Sequence, residues 1–136
     1  MSLNENSSRW EILKYIENFP FYFLDYFSHK PWAQPYIDKA AKMVIKKDSF
    51  SFLYNFPNKP WAQPYIDEAA KIYAKERPLT FLHYFSEKPW AQPYLDEAAK
   101  VIAKKDPEYF LKKLADVFPH YINLTLFALG GKNVSK

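Results

Sequence analysis

The sequence predicts an all-α fold, a short right-handed α-solenoid of about seven to eight helices built from helix-turn-helix repeats. The main observation is the string Lys-Pro-Trp-Ala-Gln-Pro-Tyr, which begins at Lys30, Lys59 and Lys88 and so defines a 29-residue repeat. The second observation is that the chain has 2 glycines but 11 prolines. Tight β turns need glycine or asparagine at positive φ, so this balance favours helices separated by prolines over a β fold.

The composition is that of one folded domain. Of 136 residues, 49% are hydrophobic and 20% aromatic, which argues against disorder and allows one core. The net charge of +4 is spread along the chain, so nucleic acid binding is not expected. The absence of cysteine excludes disulfides and thiolate chemistry. Lysines interrupt every apolar run, so no membrane span is predicted, and the polar residues 1–8 do not form a secretory signal.

Helix A, the first half of each repeat, is marked by a Phe-Leu pair and by an apolar residue four positions after the Phe. This i, i+4 spacing is one stripe of a short helix. Prolines near its start fit a first helical turn, and Asp48 and Asp106 are predicted N-caps. The pairs are Phe23-Leu24, Phe52-Leu53, Phe81-Leu82 and Phe110-Leu111.

Helix B, the second half, has apolar residues at i, i+3, i+4 and i+7. In the first repeat these are Ile37, Ala40, Ala41 and Val44. Because a proline in a helix interior breaks the helix, Pro35 must lie in the first turn. Residues 31–33 are therefore predicted to form a tight turn or one 3₁₀ turn, with the α-helix running from near Gln34 to about Lys46.

The chain is predicted to be a single helical-repeat domain over residues 1–129. Its parts are an N-terminal cap helix 7–19, repeats 20–48, 49–77 and 78–106, a C-terminal half repeat with a capping helix 107–129, and a flexible tail 130–136. In the cap helix, Ser7 or Ser8 is the predicted N-cap, and Trp10, Leu13 and Ile16 are expected to face inward. The fourth helix A is expected to run to about Val117.

The last helix is expected to begin at Pro119, and residues 120–129 contain no charged side chain. A closing unit of a solenoid normally presents a polar face to water. Two expectations stay open: this helix docks back on the repeats, or residues 119–129 contact another chain, including a second copy in a homo-oligomer.

The repeated aromatic residues of the Lys-Pro-Trp motif have two interpretations. Large rings at the same place in every repeat are predicted to pack between neighbouring repeats. Alternatively, the same rings with Gln34, Gln63 and Gln92 could stack on and read sugar rings of a glycan or cell-wall polysaccharide. The inter-repeat packing residues are Trp32, Trp61, Trp90, Tyr36, Tyr65 and Tyr94.

Three positions of helix A differ from repeat to repeat and lie beside its Phe-Leu stripe, and the third of them holds Tyr22, Ser51, Thr80 and Tyr109. Residues that can make polar contacts and that vary in this way are candidates for recognising a partner. Alternatively, a solvent-exposed helix face whose residues vary without functional constraint would show the same pattern. The candidate partner-binding residues are Asp25, Tyr26, Tyr54, Asn55, His83, Tyr84, Lys112 and Lys113.

The sequence contains no pattern that points to an enzyme. Its three histidines, His29, His83 and His120, occupy different repeat positions and have no acidic partner at a ligand-like spacing. No phosphate-binding glycine loop, Ser/His/Asp set or His-Glu-x-x-His motif is present. No catalytic residue, cofactor or metal site is therefore predicted.

Residues 65–75, closed by Pro78, carry Tyr65, then Asp67-Glu68-Ala69, and then Tyr73. This run resembles the second helix of tetratricopeptide repeats, where Tyr, Asp/Glu-Glu-Ala, a later aromatic and a terminal Pro recur. The resemblance covers about half of each unit and extends to the broad class of α-helical solenoids. It implies a protein or peptide bound in a concave groove.

Three functions follow as hypotheses. The first is a non-enzymatic scaffold module that binds a protein or peptide along helix A. The second is glycan binding through the repeated Trp, Tyr and Gln positions. The third is a structural or self-associating spacer joined through residues 119–129.

Overall fold

The computed structural model describes residues 3–121 and residue 126, and these contain seven α-helices and no β-strand. The predicted all-α fold is confirmed. Most of the predicted last helix, and with it the predicted homo-oligomer contact, lies outside the described residues. The helices are α1 (Arg9–Asn18), α2 (Pro20–Phe27), α3 (Ile37–Asn55), α4 (Gln63–Glu76), α5 (Pro78–Phe85), α6 (Gln92–Lys105) and α7 (Pro107–Tyr109).

The described residues also contain shorter helical segments. Pro31–Tyr36, Pro89–Ala91 and Pro119–Tyr121 are 3₁₀ helices, and Phe110–Leu114 is a π-helix. The turn predicted over residues 31–33 is a 3₁₀ helix in the first and third repeats. It is longer in the first, where α3 begins at Ile37, whereas α4 and α6 begin at the predicted glutamine.

The chain forms two compact units, Met1–Ala69 and Ala70–Lys136, whose boundary lies within α4. In the first unit, α1 packs on α2 and α3, and α2 packs on α3. In the second unit, α5 packs on α6, and α6 also contacts α7 and the π-helix. The single domain over residues 1–129 and the right-handed course of the solenoid stay predictions.

Helix B of each repeat is joined to the next helix A by a single non-helical residue, which we call a junction residue. The junction residues are Phe19, Asp48, Arg77 and Asp106, spaced 29 residues apart. Phe19, Arg77 and Asp106 have φ near −137° and ψ of 58° to 69°. Each precedes a proline, and the proline ring excludes the helical conformation from the residue before it.

Asp48 produces the same break without a proline, because Ser49 follows it. Its φ of −161° and ψ of 83° are extended and interrupt α3. The Asp48 carboxylate accepts a hydrogen bond from the Ser51 N–H at 3.0 Å, and Asp106 accepts one from the Tyr109 N–H at 3.2 Å. Both predicted N-caps are confirmed.

The cap helix α1 begins with a capping box. Ser8 Oγ accepts a hydrogen bond from the Glu11 N–H at 3.1 Å, and a Glu11 carboxylate oxygen accepts one from the Ser8 N–H at 2.8 Å. These bonds lower the pKa of the Glu11 carboxyl below its ordinary value. Of the two predicted caps, Ser8 is therefore the one that the structure uses.

The prediction that Trp10 faces inward is wrong, because its side chain is 69% exposed. Ile12 and Ile16 are buried instead, and Leu13 is half-buried. A helix turns about 100° per residue, so Trp10 lies on nearly the opposite side from Ile12. The Ile12 and Ile16 pair sets the packed face.

The core is built from phenylalanines of helix A against alanines of helix B. The alanine pairs Ala40-Ala41 and Ala98-Ala99 are fully buried. Their small side chains leave room for the rings, which fill most of the interior volume. The fully buried phenylalanines are Phe23, Phe52, Phe56, Phe81, Phe85 and Phe110.

The fourth helix A differs from the expected long α-helix. Regular α geometry ends at Tyr109, and the Ala115 N–H donates to the Phe110 carbonyl oxygen at 2.9 Å, five residues back. The prediction that this helix runs to about Val117 is therefore wrong. A π turn inserts about one extra residue per turn, so Lys112 and Lys113 do not keep the helical register of the earlier repeats.

Candidate functional site

The repeated tryptophans pack mainly on helix A of their own repeat. Each is half-buried, with its ring centroid 5.2 to 6.3 Å from two core phenylalanines. The three sets are Trp32 with Phe23 and Phe27, Trp61 with Phe52 and Phe56, and Trp90 with Phe81 and Phe85. These contacts fix the corner between helix A and helix B.

The glutamine of the motif binds the end of the preceding helix. Gln34 Nε2 donates to the carbonyl oxygens of Ser28 and Lys30, both at 2.9 Å. Gln92 Nε2 makes the same two bonds after α5, at 3.0 and 3.2 Å. Ser28 and Ser86 are the C-cap residues of their helices, and the last carbonyls of a helix have no partner within it, so these amides satisfy them. The Lys30 and Lys88 carbonyls also accept from the Ala33 and Ala91 N–H groups. The N–H groups of the two glutamine amides are thereby committed to the fold.

Tyr65 joins the second repeat to the first. Its hydroxyl donates to an Asp38 carboxylate oxygen at 2.9 Å, and Asp38 also pairs with Lys42 at 3.4 Å. This contact agrees with the inter-repeat role predicted for Tyr65. For Tyr36, Tyr94 and the tryptophans that role stays a prediction.

The Tyr65 phenol has an altered pKa. Burial, the hydrogen bond to Asp38 and the Asp38 charge all disfavour the phenolate and raise the pKa of Tyr65 to about 12, from an ordinary 10.0. Because folding raises this pKa, the neutral Tyr65 phenol contributes its full stabilisation below pH 10. That contribution is lost as the pH rises from 10 through 12.

Tyr65→Phe should therefore be less stable than the wild type below pH 10, and the difference should shrink between pH 10 and 12. Because the tyrosine is only partly buried, solvent reduces the effect to about 1 kcal/mol. Urea unfolding at pH 8, 10 and 12 measures it. Tyr54→Phe, at an exposed tyrosine, is the control, and a wild-type-minus-variant difference that is constant with pH would contradict the prediction.

All eight candidate partner-binding residues are exposed. Asp25 and Tyr26 lie on α2, Tyr54 and Asn55 at the end of α3, and His83 and Tyr84 on α5, while Lys112 and Lys113 lie on the π-helix. Of these eight residues, the tyrosines Tyr26, Tyr54 and Tyr84 lie on α2, α3 and α5 and are exposed by 58%, 63% and 49% respectively.

A row of neighbouring aromatic rings on the first unit contains the predicted site residue Tyr26, Tyr22 at another varying position of helix A, and two rings that the sequence analysis did not single out, Tyr15 and Phe19. We call Tyr15, Phe19, Tyr22 and Tyr26 the aromatic row. Successive ring centroids are 5.4, 6.4 and 5.9 Å apart, and the last two rings are nearly parallel at 11°. Phe19, Tyr22 and Tyr26 are each about half exposed. Burial and the neighbouring Tyr26 and Tyr22 raise the pKa of the Tyr15 phenol.

The sequence carries a weak signal for this row. Tyr15 and Phe19, and likewise Tyr22 and Tyr26, are four residues apart, a spacing that places side chains on one helix face. The two pairs belong to different helices, α1 and α2. Only the single-residue junction at Phe19 brings them into one line, and that junction cannot be read from the spacing.

In each unit, a cavity lies beside these exposed residues. In the first, about 260 Å³ lies between Phe19, Tyr22, Val44, Lys47 and Ser51, at the aromatic row. In the second unit, the cavity has a volume of about 490 Å³ and a mostly apolar lining. Its lining includes Leu82, His83, Leu95, Leu114 and Val117.

Metal-ligand clusters and membrane-spanning helices are both absent from the described residues. Within residues 3–121 and 126, no three His, Cys, Asp or Glu side chains come together as a metal site. Over the same residues, no helix is long and apolar enough to cross a membrane.

Comparison of the chain with protein-family models, curated proteins and solved structures finds no match. The tetratricopeptide resemblance stays an inference from residues 65–78.

Proposed function

We propose that this chain is a non-enzymatic interaction module that binds a peptide or protein segment through exposed side chains of its A helices. The observation that carries the proposal is the aromatic row. Tyr22 and Tyr26 of this row stand about half exposed on α2, whose other face is held by the fully buried Phe23 and Leu24. Tyrosines on a rigid support give a large contact area at little cost in conformational entropy, and they are common energetic centres of interfaces.

The geometry of the corner motif favours peptide binding over glycan binding. A sugar would need tryptophan faces and glutamine amides that are open to it. Trp32, Trp61 and Trp90 are half-buried on core rings, and the Gln34 and Gln92 amide N–H groups bind backbone carbonyls. The Tyr22 and Tyr26 rings of α2, in contrast, are about half exposed.

Peptides selected from a phage-displayed random library on the wild-type chain would test the proposal. The variant Tyr22→Ala with Tyr26→Ala should bind the selected peptides at least about tenfold more weakly, because it removes two rings of the aromatic row. Both side chains are about half exposed, so the thermal midpoint should change little.

Trp10→Ala is the matched control. It removes a ring that is 69% exposed on α1 but is outside the aromatic row, so it should leave peptide binding unchanged. Equal binding by the wild type and the double variant would refute the role of the row. Failure to select any peptide with the wild type would refute the peptide-binding function.

A further inference from the structure

A second cavity of the first unit lies between the corners of the first and second repeats. Its volume is about 520 Å³, which is large enough for a small organic group. We call it the corner cavity. Its lining residues are Ser28, His29, Gln34, Lys59, Pro60 and Trp61.

The corner cavity has positive charge and no negative charge in its lining. Lys59 and His29 line it, and none of the six lining residues is acidic. Lys59 and His29 are both exposed. Neither forms a salt bridge with a carboxylate in the part of the chain that the structure describes.

Two lining residues carry side-chain groups that can only donate hydrogen bonds, the Lys59 ammonium and the Trp61 indole N–H. The Gln34 amide nitrogen is used by two backbone carbonyls. The Trp61 indole nitrogen is buried, and among residues 3–121 and 126 it is the one buried side-chain polar atom without a hydrogen-bond partner. An indole N–H can only donate, and a buried donor without an acceptor is costly.

The lining also differs from the other corners in sequence. The position of His29 is occupied by Asn58 in the second repeat and by Glu87 in the third, and Ser28 is matched by Pro57 in the second. A glutamate would reverse the charge at this place. The combination of Ser28 and His29 next to a lysine and a tryptophan of the following repeat is a property of the first corner alone.

We propose that the corner cavity binds a carboxylate, supplied by an acidic residue or the C-terminus of the peptide partner. Lys59 provides the charge, and His29 and the Ser28 hydroxyl provide hydrogen bonds. This inference rests on the proposed function for the identity of the partner. The binding of the carboxylate itself does not depend on the aromatic row.

The test is a titration of the isolated chain with sodium acetate, against sodium chloride at equal ionic strength, followed by the NMR signals of the four indole N–H groups. The Trp61 signal should move with saturation in acetate, while the other three move little. Lys59→Gln should weaken acetate binding at least about fivefold, since it removes the charge of the lysine in the cavity lining. His29→Asn, which installs the second repeat's residue, should weaken it also.

Lys42→Gln is the matched control, because it removes one exposed positive charge that is paired with Asp38. It should leave the acetate titration unchanged. A Trp61 signal that moves no more than the other indoles, or that moves equally in the wild type and Lys59→Gln, overturns the proposal. Both lysines are exposed, so neither variant should fail to fold.

Peptides then distinguish the two sources of the carboxylate. Selected peptides with a free C-terminus are compared with their amidated forms and with forms in which internal Asp and Glu are replaced by Asn and Gln. Loss on amidation assigns the C-terminal carboxylate, and loss on the internal changes assigns a side chain. If neither change weakens binding to the wild type, the partner carboxylate is refuted. Acetate binding without peptide binding would refute the peptide function and leave the anion site standing.

Discussion

Phe52→Ala should destabilise the chain by about 3–5 kcal/mol. Phe52 is fully buried, and its ring contacts Phe56 at 5.6 Å and Trp61 at 6.0 Å. Removing it opens a cavity and also takes away the support of the corner tryptophan. Domains of this size are stable by only about 5–15 kcal/mol, so the variant should lose a large part of its stability.

Urea unfolding followed by circular dichroism measures the loss. Tyr54→Ala is the control two residues further along the same helix, and its 63% exposed ring should change stability by only about 0.5 kcal/mol. If Phe52→Ala does not fold, Phe52→Leu keeps more of the volume and should show a smaller loss. Equal losses in Phe52→Ala and Tyr54→Ala would contradict the assignment of Phe52 to the core.

Gln34→Ala should cost about 1–2 kcal/mol. The change removes two hydrogen bonds from the amide to backbone carbonyls and leaves the partly buried Ser28 carbonyl without that donor. Gln92→Ala should cost a similar amount, because its amide makes the equivalent pair of bonds. The two losses should add, since the residues share no hydrogen-bond partner.

Gln63 is a matched control within the same motif. It occupies the same register, but no hydrogen bond from its side chain is present in the described part of the chain, and Pro57 stands where Ser28 and Ser86 stand in the other repeats. Gln63→Ala should therefore change stability by only about 0.5 kcal/mol. Thermal and urea unfolding of the three variants would show the difference, and three equal losses would argue against the capping role.

The helices themselves could be predicted from the sequence because the period is so regular. The Phe-Leu stripe located every helix A, and proline chemistry placed the corners to within three residues of the observed starts. The N-caps Asp48 and Asp106 followed from the residue type and its place in the repeat. Local rules were sufficient because each of these features depends on residues a few positions apart.

The errors and omissions arise where the outcome depends on competition between faces or on distant contacts. Trp10 is a large ring, yet Ile12 and Ile16 together define the packed face of α1 and leave it outside. The π turn after Tyr109 interrupts a pattern that looks continuous in sequence. The role of Gln34 was missed because its acceptors are backbone carbonyls, which have the same chemistry whatever the sequence.

Candidate sites were harder to predict than helices. The exposure of Tyr26, Tyr54 and Tyr84 agrees with their selection as variable positions beside the core stripe. The aromatic row and the corner cavity needed the structure, since each joins residues of two helices or two corners. The distances between these residues are set by the folded chain and cannot be read from the repeat period.

The junction residues bear on how such a chain can change in length. Only one residue separates helix B from the next helix A at Phe19, Asp48, Arg77 and Asp106. An insertion of one residue within the following helix A would rotate all later residues of that helix by about 100° around its axis. The core phenylalanines of the helix would then be exposed. Insertions and deletions in this segment should therefore be tolerated only as whole units of 29 residues, each of which brings its own junction, corner and capping glutamine.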